Sequence, residues 1–232
     1  MEANAIMPDQ LPHPVKTCRR CGTCCCKGGP ALHIADRNLV ESGKIPLKSL
    51  FTIRKGEPAY DNIRNVVTPA PSDIIKIKAA EKEAATCFYF AHDEVACRIY
   101  ESRPVECRAL ACWDTEAIEA LYDKERLTRS HLLGRLPGLI DFVSDHQEKV
   151  DYLRVAKLAD QIRGENDKQS AVDEMLSMIR YDHSIRQVTV ERTRLDAELL
   201  DFLFGLPLNI TMRKFYLKLA KVGSDITIQS TM

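Results

Sequence analysis

The stretch Cys18-Arg-Arg-Cys21-Gly-Thr-Cys24-Cys25-Cys26-Lys-Gly-Gly29 places five cysteines within nine residues. Its two consecutive C-x2-C steps allow thiolates from one tight loop to converge on a single ion or cluster. Gly22, Gly28 and Gly29 supply the unusual backbone angles that such a loop requires. The spacing also matches the start of a ferredoxin-type run, although Gly28 stands where the fourth cysteine would be. The stretch therefore predicts a metal centre whose remaining ligands come from elsewhere in the chain.

Three further cysteines, Cys87, Cys97 and Cys107, are spaced ten residues apart and are the candidates for those ligands. Neighbouring side chains diverge on a regular backbone, so at most two of the adjacent Cys24, Cys25 and Cys26 are expected to face one metal. Seven plausible ligands also exceed the four that one tetrahedral zinc or one cluster requires. Either some cysteines are spare or there are two metal centres, and the roles of Cys26 and Cys112 stay open.

Cys107 follows a sequence that is typical of a helix start. Ser102 is a candidate cap and Pro104 suits the first helical turn. A position near the positive end of this helix, between Arg103 and Arg108, would favour the thiolate over the thiol. We therefore expect Cys107 to be a ligand or a reactive thiol.

Composition and charge limit the function classes. The chain has 232 residues, 45% of them hydrophobic, which excludes the disordered and collagenous classes. Its formal net charge of +0 removes the electrostatic argument for a nucleic-acid partner. No apolar run approaches the ~18 residues of a membrane helix, and the N-terminus lacks the features of a secretory signal. We therefore expect a cytoplasmic protein, without membrane or nucleic acid as partner.

The cysteine count supports metal binding over cross-linking. Nine cysteines cannot all pair, and cytosolic thiols stay reduced, so clustered cysteines there are more often metal ligands than disulfides. A disulfide framework remains the alternative for an exported chain. The last 120 residues contain no cysteine, which separates a thiol-bearing part from a thiol-free part.

The pattern along the chain predicts an α+β fold. Residues 1–16 contain three prolines and are predicted to be an extended arm, residues 17–112 a cysteine-cluster metal-binding domain with short strands, and residues 113–232 a helical region. The candidate strands are Ser49–Arg54, Ile74–Lys78, Cys87–Phe90 and Val95–Ile99, and the last two flank a turn-length spacer that suits a hairpin.

Apolar residues at steps of three and four predict the helices of the C-terminal region. A short stripe begins at Ile118. A long one runs from Leu139 through His146 and Leu153 to a stop at Gly164. Three more comprise Val172, Met175, Leu176 and Ile179; Leu195, Leu199, Phe202 and Leu203, ended by Gly205; and Met212, Phe215, Tyr216 and Leu219, ended by Gly223.

Three blocks of this sequence together resemble a known family. They are C-x2-C-G-x-C-C at Cys18–Cys25, then Cys87-Phe-Tyr-Phe90, then Cys97-Arg-Ile-Tyr-Glu-Ser-Arg-Pro-Val-Glu-Cys107-Arg108. In order and content they are similar to the YkgJ-type CxxCxxCC cysteine-cluster proteins, described as zinc- or iron-chelating domains. The resemblance covers about residues 17–112.

The resemblance implies a ligand set and a capacity to chelate metal, but neither a reaction nor a substrate. The implied metal ligands are Cys18, Cys21, Cys24, Cys25, Cys87, Cys97 and Cys107. Related domains occur in bacterial flagellin lysine N-methylases, where the cysteines are associated with an iron–sulfur cluster. The extra Cys26, and Ala109-Leu-Ala-Cys112 in place of the aromatic-proline sequence frequent in relatives, depart from the family pattern.

Three histidines are weighed as additional ligands. His92 lies in the spacer between Cys87 and Cys97 and is expected to be a solvated turn histidine rather than a ligand, because no ligand spacing requires it. His33 follows the glycine-rich loop and is expected to support a ligand or to be incidental. His146 lies on an apolar stripe and is expected to be a core or boundary residue.

Among the basic residues, Arg19 and Arg20 lie between two predicted ligands and would offset the negative charge of a thiolate-rich site. Arg54-Lys-Gly-Glu57 is interpreted as a solvated turn, since it lacks the length of a phosphate loop. The sequence contains no G-x-G-x-x-G, Walker or G-x-S-x-G motif, which argues against nucleotide-binding and serine-hydrolase classes.

Two main hypotheses follow. The first is an iron–sulfur protein with a redox or protein-modification role of the lysine-methylation kind. The second is a non-catalytic zinc-stabilised module whose helices contact a protein partner. A third, metal storage or delivery, would make use of surplus thiols.

Overall fold

The computed structural model describes residues 18–80, 85–164 and 168–231. Short antiparallel strands and helices both occur in these ranges, so the predicted α+β fold is confirmed. The predicted extended arm, residues 1–16, lies outside the described residues. Within those ranges, none of the helices combines the length and apolar character needed to cross a bilayer.

The N-terminal part is built from short helices and two-stranded sheets. In chain order these elements are α1 (Arg37–Glu41), β1 (Leu50–Ile53), β2 (Pro58–Asp61), β3 (Val66–Pro69), β4 (Ile74–Ile77), β5 (Phe90–Ala91), β6 (Ala96–Cys97) and α2 (Val105–Ala109). The strands pair antiparallel as β1–β4, β2–β3 and β5–β6.

The predicted strands at Ser49–Arg54 and Ile74–Lys78 are confirmed as β1 and β4. Leu50 pairs with Ile77, and their alternating side chains supply part of the core. The β2–β3 hairpin was not predicted. Pro58 begins its first strand and Pro69 ends its second, and proline is a signal against a strand in sequence.

The C-terminal part is mainly helical. Its elements are α3 (Glu116–Leu121), α4 (Arg129–Leu133), α5 (Pro137–Lys149), α6 (Tyr152–Arg163), α7 (Lys168–Thr193), α8 (Leu200–Phe204), α9 (Leu208–Thr211), β7 (Leu217–Val222) and β8 (Asp225–Ser230). The single long helix predicted from Leu139 to Gly164 is wrong, because α5 ends at Lys149 and α6 begins at Tyr152. Asp151 accounts for the break: its carboxylate accepts the Leu153 and Arg154 N–H groups as an N-cap.

The last predicted helix is also wrong. A short 3-10 turn covers Met212–Phe215, and Tyr216 then takes a left-handed backbone (φ 59°) that ends it. The chain continues as an antiparallel hairpin in which Leu219 faces Ile228, with its turn at Gly223. Leu219 fits both the helical stripe and, together with Leu217, a period-two pattern, and the turn decides between them.

Two apolar cores organise the described residues. One contains Cys87 with residues of β1 and β4, and also Leu127, Val143 and Phe202–Phe204. The other joins α6, α7, α9 and the β7–β8 hairpin around Met175. The thiol-bearing segment thus shares its core with α5 and α8, while the domain division at residues 112 and 113 stays a prediction.

A buried polar network corrects the interpretation of Arg54–Glu57 as a solvated turn. Arg54 and Glu57 are each only 1% exposed. Arg54 Nη1 lies 3.4 Å from His146 Nδ1, and His146 Nε2 lies 2.7 Å from Asp182 Oδ1. His146 is fully buried, as expected for a core histidine. Asp182 also accepts from Arg186 Nε at 3.0 Å.

Candidate metal centre

The cysteine loop folds into a compact turn. Cys25–Lys27 form a 3-10 turn, and the Cys26 N–H donates to the Gly22 carbonyl at 3.0 Å. Gly22 takes a left-handed φ of +76°, and a Cβ built there would lie 2.3 Å from the Phe90 ring. The loop therefore packs against β5, which is the first strand of the predicted hairpin between Cys87 and Cys97.

The predicted hairpin between Cys87 and Cys97 is confirmed, although its strands are shorter than expected. Phe90 pairs with Cys97, so Cys97 lies on β6. Cys87 precedes β5 and forms an isolated bridge with Ala79. The Cys87 N–H donates to the Cys25 carbonyl at 2.8 Å, and this bond joins the cysteine loop to the hairpin.

Helix α2 carries Cys107 and is held by residues distant in sequence. The Val105 N–H donates to Asp36 Oδ1 at 2.8 Å. The Ala31 N–H donates to Glu106 Oε2 at 2.7 Å. Because these bonds fix both the first turn of α2 and the residue next to Cys107, they set where the Cys107 thiol lies.

The details predicted for this helix start are partly wrong. Pro104 is the N-cap, with no side-chain cap, and Ser102 belongs to the preceding 3-10 turn. Cys107 does lie in the first turn of α2, but its pKa is raised and not lowered. Burial is the largest cause of this rise, and the other cysteines add to it. Arg108 is directed elsewhere, since its guanidinium donates to the Arg103 carbonyl.

Electrostatic interactions show which thiols lie together. Burial raises the pKa of Cys25 to about 12, and the charges of Cys24, Cys87 and Cys97 contribute. Burial also raises the pKa of Cys87 and of Cys107. The charges of Cys24, Cys25, Cys87 and Cys97 raise the pKa of Cys107 further. A Coulomb interaction weakens as the distance between the charges grows, so thiols that shift one another's pKa are neighbours. Cys24, Cys25, Cys87, Cys97 and Cys107 therefore share one region, which we call the inner thiols.

The inner thiols suit zinc or iron by their chemistry, because thiolate sulfur is a preferred ligand of both. In residues 18–80, 85–164 and 168–231, no group of three His, Cys, Asp or Glu side chains is already arranged to hold an ion. Neutral thiols gain nothing by crowding together, since a cysteine becomes a ligand only on losing its proton. A bound cation would stabilise the thiolates that burial disfavours here.

Lys76 is a charged neighbour of this region that sequence reasoning missed. It lies on β4, where burial lowers the pKa of its ammonium group. The Glu106 carboxylate opposes that shift, as do the charges of Cys107 and Cys87. An ammonium group here offsets the negative charge that ligand thiolates would carry. Arg19 and Arg20 were assigned this role from sequence.

The remaining cysteines lie at the surface, as does Cys24 among the inner thiols. Cys18 and Cys21, both predicted ligands, are exposed, as are Cys26 and Cys112. The Arg20 N–H lies 3.4 Å from Cys18 Sγ, and Cys21 Sγ lies 3.3 Å from the Thr23 hydroxyl. The side-chain hydrogen bond with Thr23 lowers the pKa of Cys21.

The histidines near the centre have other partners. His33 is buried, its Nδ1 lies 2.7 Å from the Lys124 carbonyl, and its Nε2 lies 3.1 Å from Glu106 Oε1. With both ring nitrogens engaged, His33 supports α2 through Glu106 and is not available as a ligand. His92 is exposed in the hairpin turn and packs edge-on against Phe90.

A family model matches the cysteine-bearing part of the chain. Residues 17–124 match the family model CxxCxxCC, described as a "putative zinc- or iron-chelating domain". By this similarity we call the stretch the CxxCxxCC domain. Searches of curated proteins and of solved structures each returned no match. The domain spans every inner thiol and extends through α3.

Several residues that support the CxxCxxCC domain were missed from sequence because their partners are far away along the chain. Asp36 accepts from the Val105 N–H of α2, and Glu106 of α2 accepts from the Ala31 N–H and, at 3.1 Å, from Arg126 Nη1. The Tyr89 hydroxyl lies 2.9 Å from the buried Ser49 hydroxyl and ties the hairpin to β1. Glu106 was the one such residue with a local signal in the sequence, because it directly precedes the predicted ligand Cys107.

Gly22→Ala is expected to loosen the cysteine loop. An added methyl group would overlap the Phe90 ring, and the left-handed backbone is strained for alanine. We expect the loop to move and metal affinity to fall about 10-fold or more, as when a supporting contact of a metal site is lost. Competition with a chelator measures this. Gly43→Ala is the matched control, because Gly43 is also left-handed (φ +76°) but has no atoms within 4 Å of its added Cβ; an equal loss there would contradict the interpretation.

Proposed function

We propose that the CxxCxxCC domain binds iron as an iron–sulfur cluster through cysteine thiolates. The observation that carries this proposal is the convergence of the inner thiols. The cysteine loop, the β5–β6 hairpin and α2 each bring at least one thiol to the same region. Such a region, made of cysteines from segments distant in sequence, has a clear use as a metal site.

Two features favour an iron–sulfur cluster over a single zinc ion. The loop begins with ferredoxin-type spacing. Cys87 is buried and packs with Tyr89 and Ile77, and such apolar surroundings limit solvent access to a cluster. Lys76, when protonated, would offset the charge of ligand thiolates around either metal.

The proposed ligand set is the one implied by the family, Cys18, Cys21, Cys24, Cys25, Cys87, Cys97 and Cys107. From it the inner thiols would supply the first ligands, while Cys18 and Cys21 would join as thiolates from the exposed loop. When bound, the cluster would supply electron transfer. We propose a redox or protein-modification role of the lysine-methylation kind, in the cytoplasm, where such thiols remain reduced.

A zinc-stabilised interaction module is the second candidate, and one observation favours it. The β2–β3 hairpin exposes Tyr60 (55%) and Val67 (65%), which face each other across the two strands. Exposed apolar side chains on a two-stranded sheet suit contact with a protein partner.

Metal and sulfide analysis of protein purified without oxygen tests the proposal and separates the two candidates. We expect a brown protein with iron and acid-labile sulfide in comparable amounts. A colourless protein that contains stoichiometric zinc and no sulfide would support the interaction module instead. A protein that retains neither metal would contradict both.

A further inference from the structure

The ring of Tyr100 lies between two arginine side chains. The Arg20 and Arg103 guanidinium carbons lie 3.8 Å and 3.6 Å from the ring centroid. Two guanidinium groups this close to one centroid cannot share a face of the ring, so they occupy opposite faces. Arg20 belongs to the cysteine loop, whereas Tyr100 and Arg103 belong to the segment between Cys97 and Cys107. The stack therefore joins two segments that both carry predicted ligands.

One side of this stack is fixed by its own backbone. Tyr100 begins the 3-10 turn Tyr100–Ser102. Arg103 Nε donates to the Tyr100 carbonyl at 2.8 Å, which holds the guanidinium against the ring of the same turn. Arg108 in turn donates to the Arg103 carbonyl. Tyr100 and Arg103 thus form a preformed platform beside α2.

Arg20, on the other side of the ring, depends on this platform for its position. Arg20 has a left-handed backbone (φ 55°), a conformation that is uncommon for residues other than glycine and requires support from its surroundings. Cys18 and Cys21 flank this residue and are exposed, so burial does not hold them. The contacts that seat this stretch are the Arg20–Tyr100 stack and, next to it, the packing of Gly22 on Phe90.

We propose that Tyr100 is a positioning residue for the metal centre. Its ring holds Arg20 and thereby keeps Cys18 and Cys21 next to the segment that carries Cys97 and Cys107. This inference rests on the proposed metal binding and adds to it the reason why two exposed cysteines can serve the same centre as the inner thiols. Cation–π contacts are worth ~0.5–1 kcal/mol at exposed sites and more when desolvated, so we expect a several-fold effect.

Cysteine labelling in the full-length chain tests this inference. The protein is loaded with Zn²⁺, chosen as a redox-inert probe of thiolate sites, and treated with iodoacetamide, and each cysteine is followed by mass spectrometry. In the wild type we expect Cys18, Cys21, Cys87 and Cys107 to be protected. In Tyr100→Leu we expect Cys18 and Cys21 to react at least about 3-fold faster, while Cys87 and Cys107 stay protected.

Two further variants separate positioning from a general structural effect. Tyr100→Phe keeps the ring and should restore protection of Cys18 and Cys21. Tyr216→Leu removes another tyrosine that stacks with an arginine, Arg163 at 5.9 Å, but lies on the C-terminal hairpin side of the molecule, and it should label as the wild type does.

The outcomes distinguish this inference from the proposed function. Unchanged labelling of Cys18 and Cys21 in Tyr100→Leu would overturn the positioning role, and so would equally faster labelling of Cys87, which would show that the ring supports the whole fold. If Zn²⁺ does not slow the labelling of Cys18 and Cys21 in the wild type relative to the metal-free protein, the loop does not hold this ion, and the iron and sulfide analysis alone decides the proposed function. Amide hydrogen exchange of residues 19–22 in the metal-free protein then tests the positioning role of Tyr100 without metal. Faster exchange in Tyr100→Leu than in the wild type supports this role, and equal exchange overturns it.

Discussion

Replacing Cys87 with serine is expected to abolish stoichiometric metal binding. Cys87 is the most buried of the predicted ligands, and its N–H bonds the carbonyl of Cys25 in the cysteine loop. Its thiol interacts electrostatically with Cys24, Cys25, Cys97 and Cys107. Loss of a supporting group outside the ligand shell costs about 10–100-fold in metal affinity, and loss of a ligand should cost at least as much.

Metal content after gel filtration and chelator competition measure the effect of Cys87→Ser. Cys112→Ser is the matched control, because Cys112 is exposed and outside the predicted ligand set; it should retain metal like the wild type. Since Cys87 also packs in the core, thermal unfolding of the metal-free forms shows any effect on folding alone. Wild-type metal content in Cys87→Ser would contradict the assignment of Cys87 as a ligand.

Asp182→Ala is expected to be the most destabilising single change outside the cysteine region. The buried carboxylate of Asp182 accepts from His146 Nε2 at 2.7 Å, Arg186 Nε at 3.0 Å and the Leu208 N–H at 2.9 Å. Alanine would leave the Arg186 charge buried without its counter-ion and two donors without acceptors. Breaking a buried ion pair in this way costs about 3–5 kcal/mol of the free energy of unfolding.

Urea unfolding at pH 7 measures this loss. Asp173→Ala on the same helix, α7, is the matched control, because Asp173 is exposed and accepts only an exposed bond from Gln169. The control should change the free energy of unfolding by less than about 0.5 kcal/mol. A similarly small change for Asp182→Ala would show that the network does not stabilise the fold.

The same network makes stability depend on pH. Burial lowers the pKa of His146 below 6.5, and Arg54 adds to this, while Asp182 opposes it. Near pH 6.5, His146 therefore binds a proton in the unfolded chain but not in the folded chain. As a result, the free energy of unfolding falls as pH drops below about 6.5. The pKa of Asp182 is about 2, because its hydrogen bonds and the Arg186 charge outweigh the effect of burial. The stability that ionised Asp182 contributes is therefore complete above pH 3.8 and is lost as pH falls toward 2. His146→Gln should flatten the decline between pH 7 and 5, measured in metal-free protein; an unchanged slope would exclude His146 as its source.

The cysteine spacing carried most of the information about the candidate site. It marked the loop, the hairpin between Cys87 and Cys97, and the placement of Cys107 in the first turn of a helix. The helix end and the neighbouring arginines predicted a lowered pKa for Cys107, and this prediction was wrong. Burial raises that pKa, and burial cannot be deduced from neighbours in sequence. Lys76, Asp36 and Glu106 were missed for the same reason, since β4, α1 and α2 meet only in the folded chain.

Helical periodicity predicted two of the C-terminal stripes correctly. The stripe ending at Gly205 is present as α8 and the turn before it, and that at Val172 begins within α7. Where two periods fitted the same apolar residues, as at Leu217 and Leu219, the turn at Gly223 decided for a hairpin. The solvated turn expected at Arg54 was wrong because His146 and Asp182, from α5 and α7, bury it.

The amino-acid sequence by itself determined that this chain has a thiol-rich α+β part with metal-ligand spacing, because ligand spacing and turn residues act locally. Only the tertiary structure decided which thiols come together, which remain exposed, and which charges lie beside them. Those outcomes depend on contacts between segments tens of residues apart, such as Cys25 with Cys87 and Arg20 with Tyr100. Burial and electrostatics arise from such contacts, and residue order alone does not specify them.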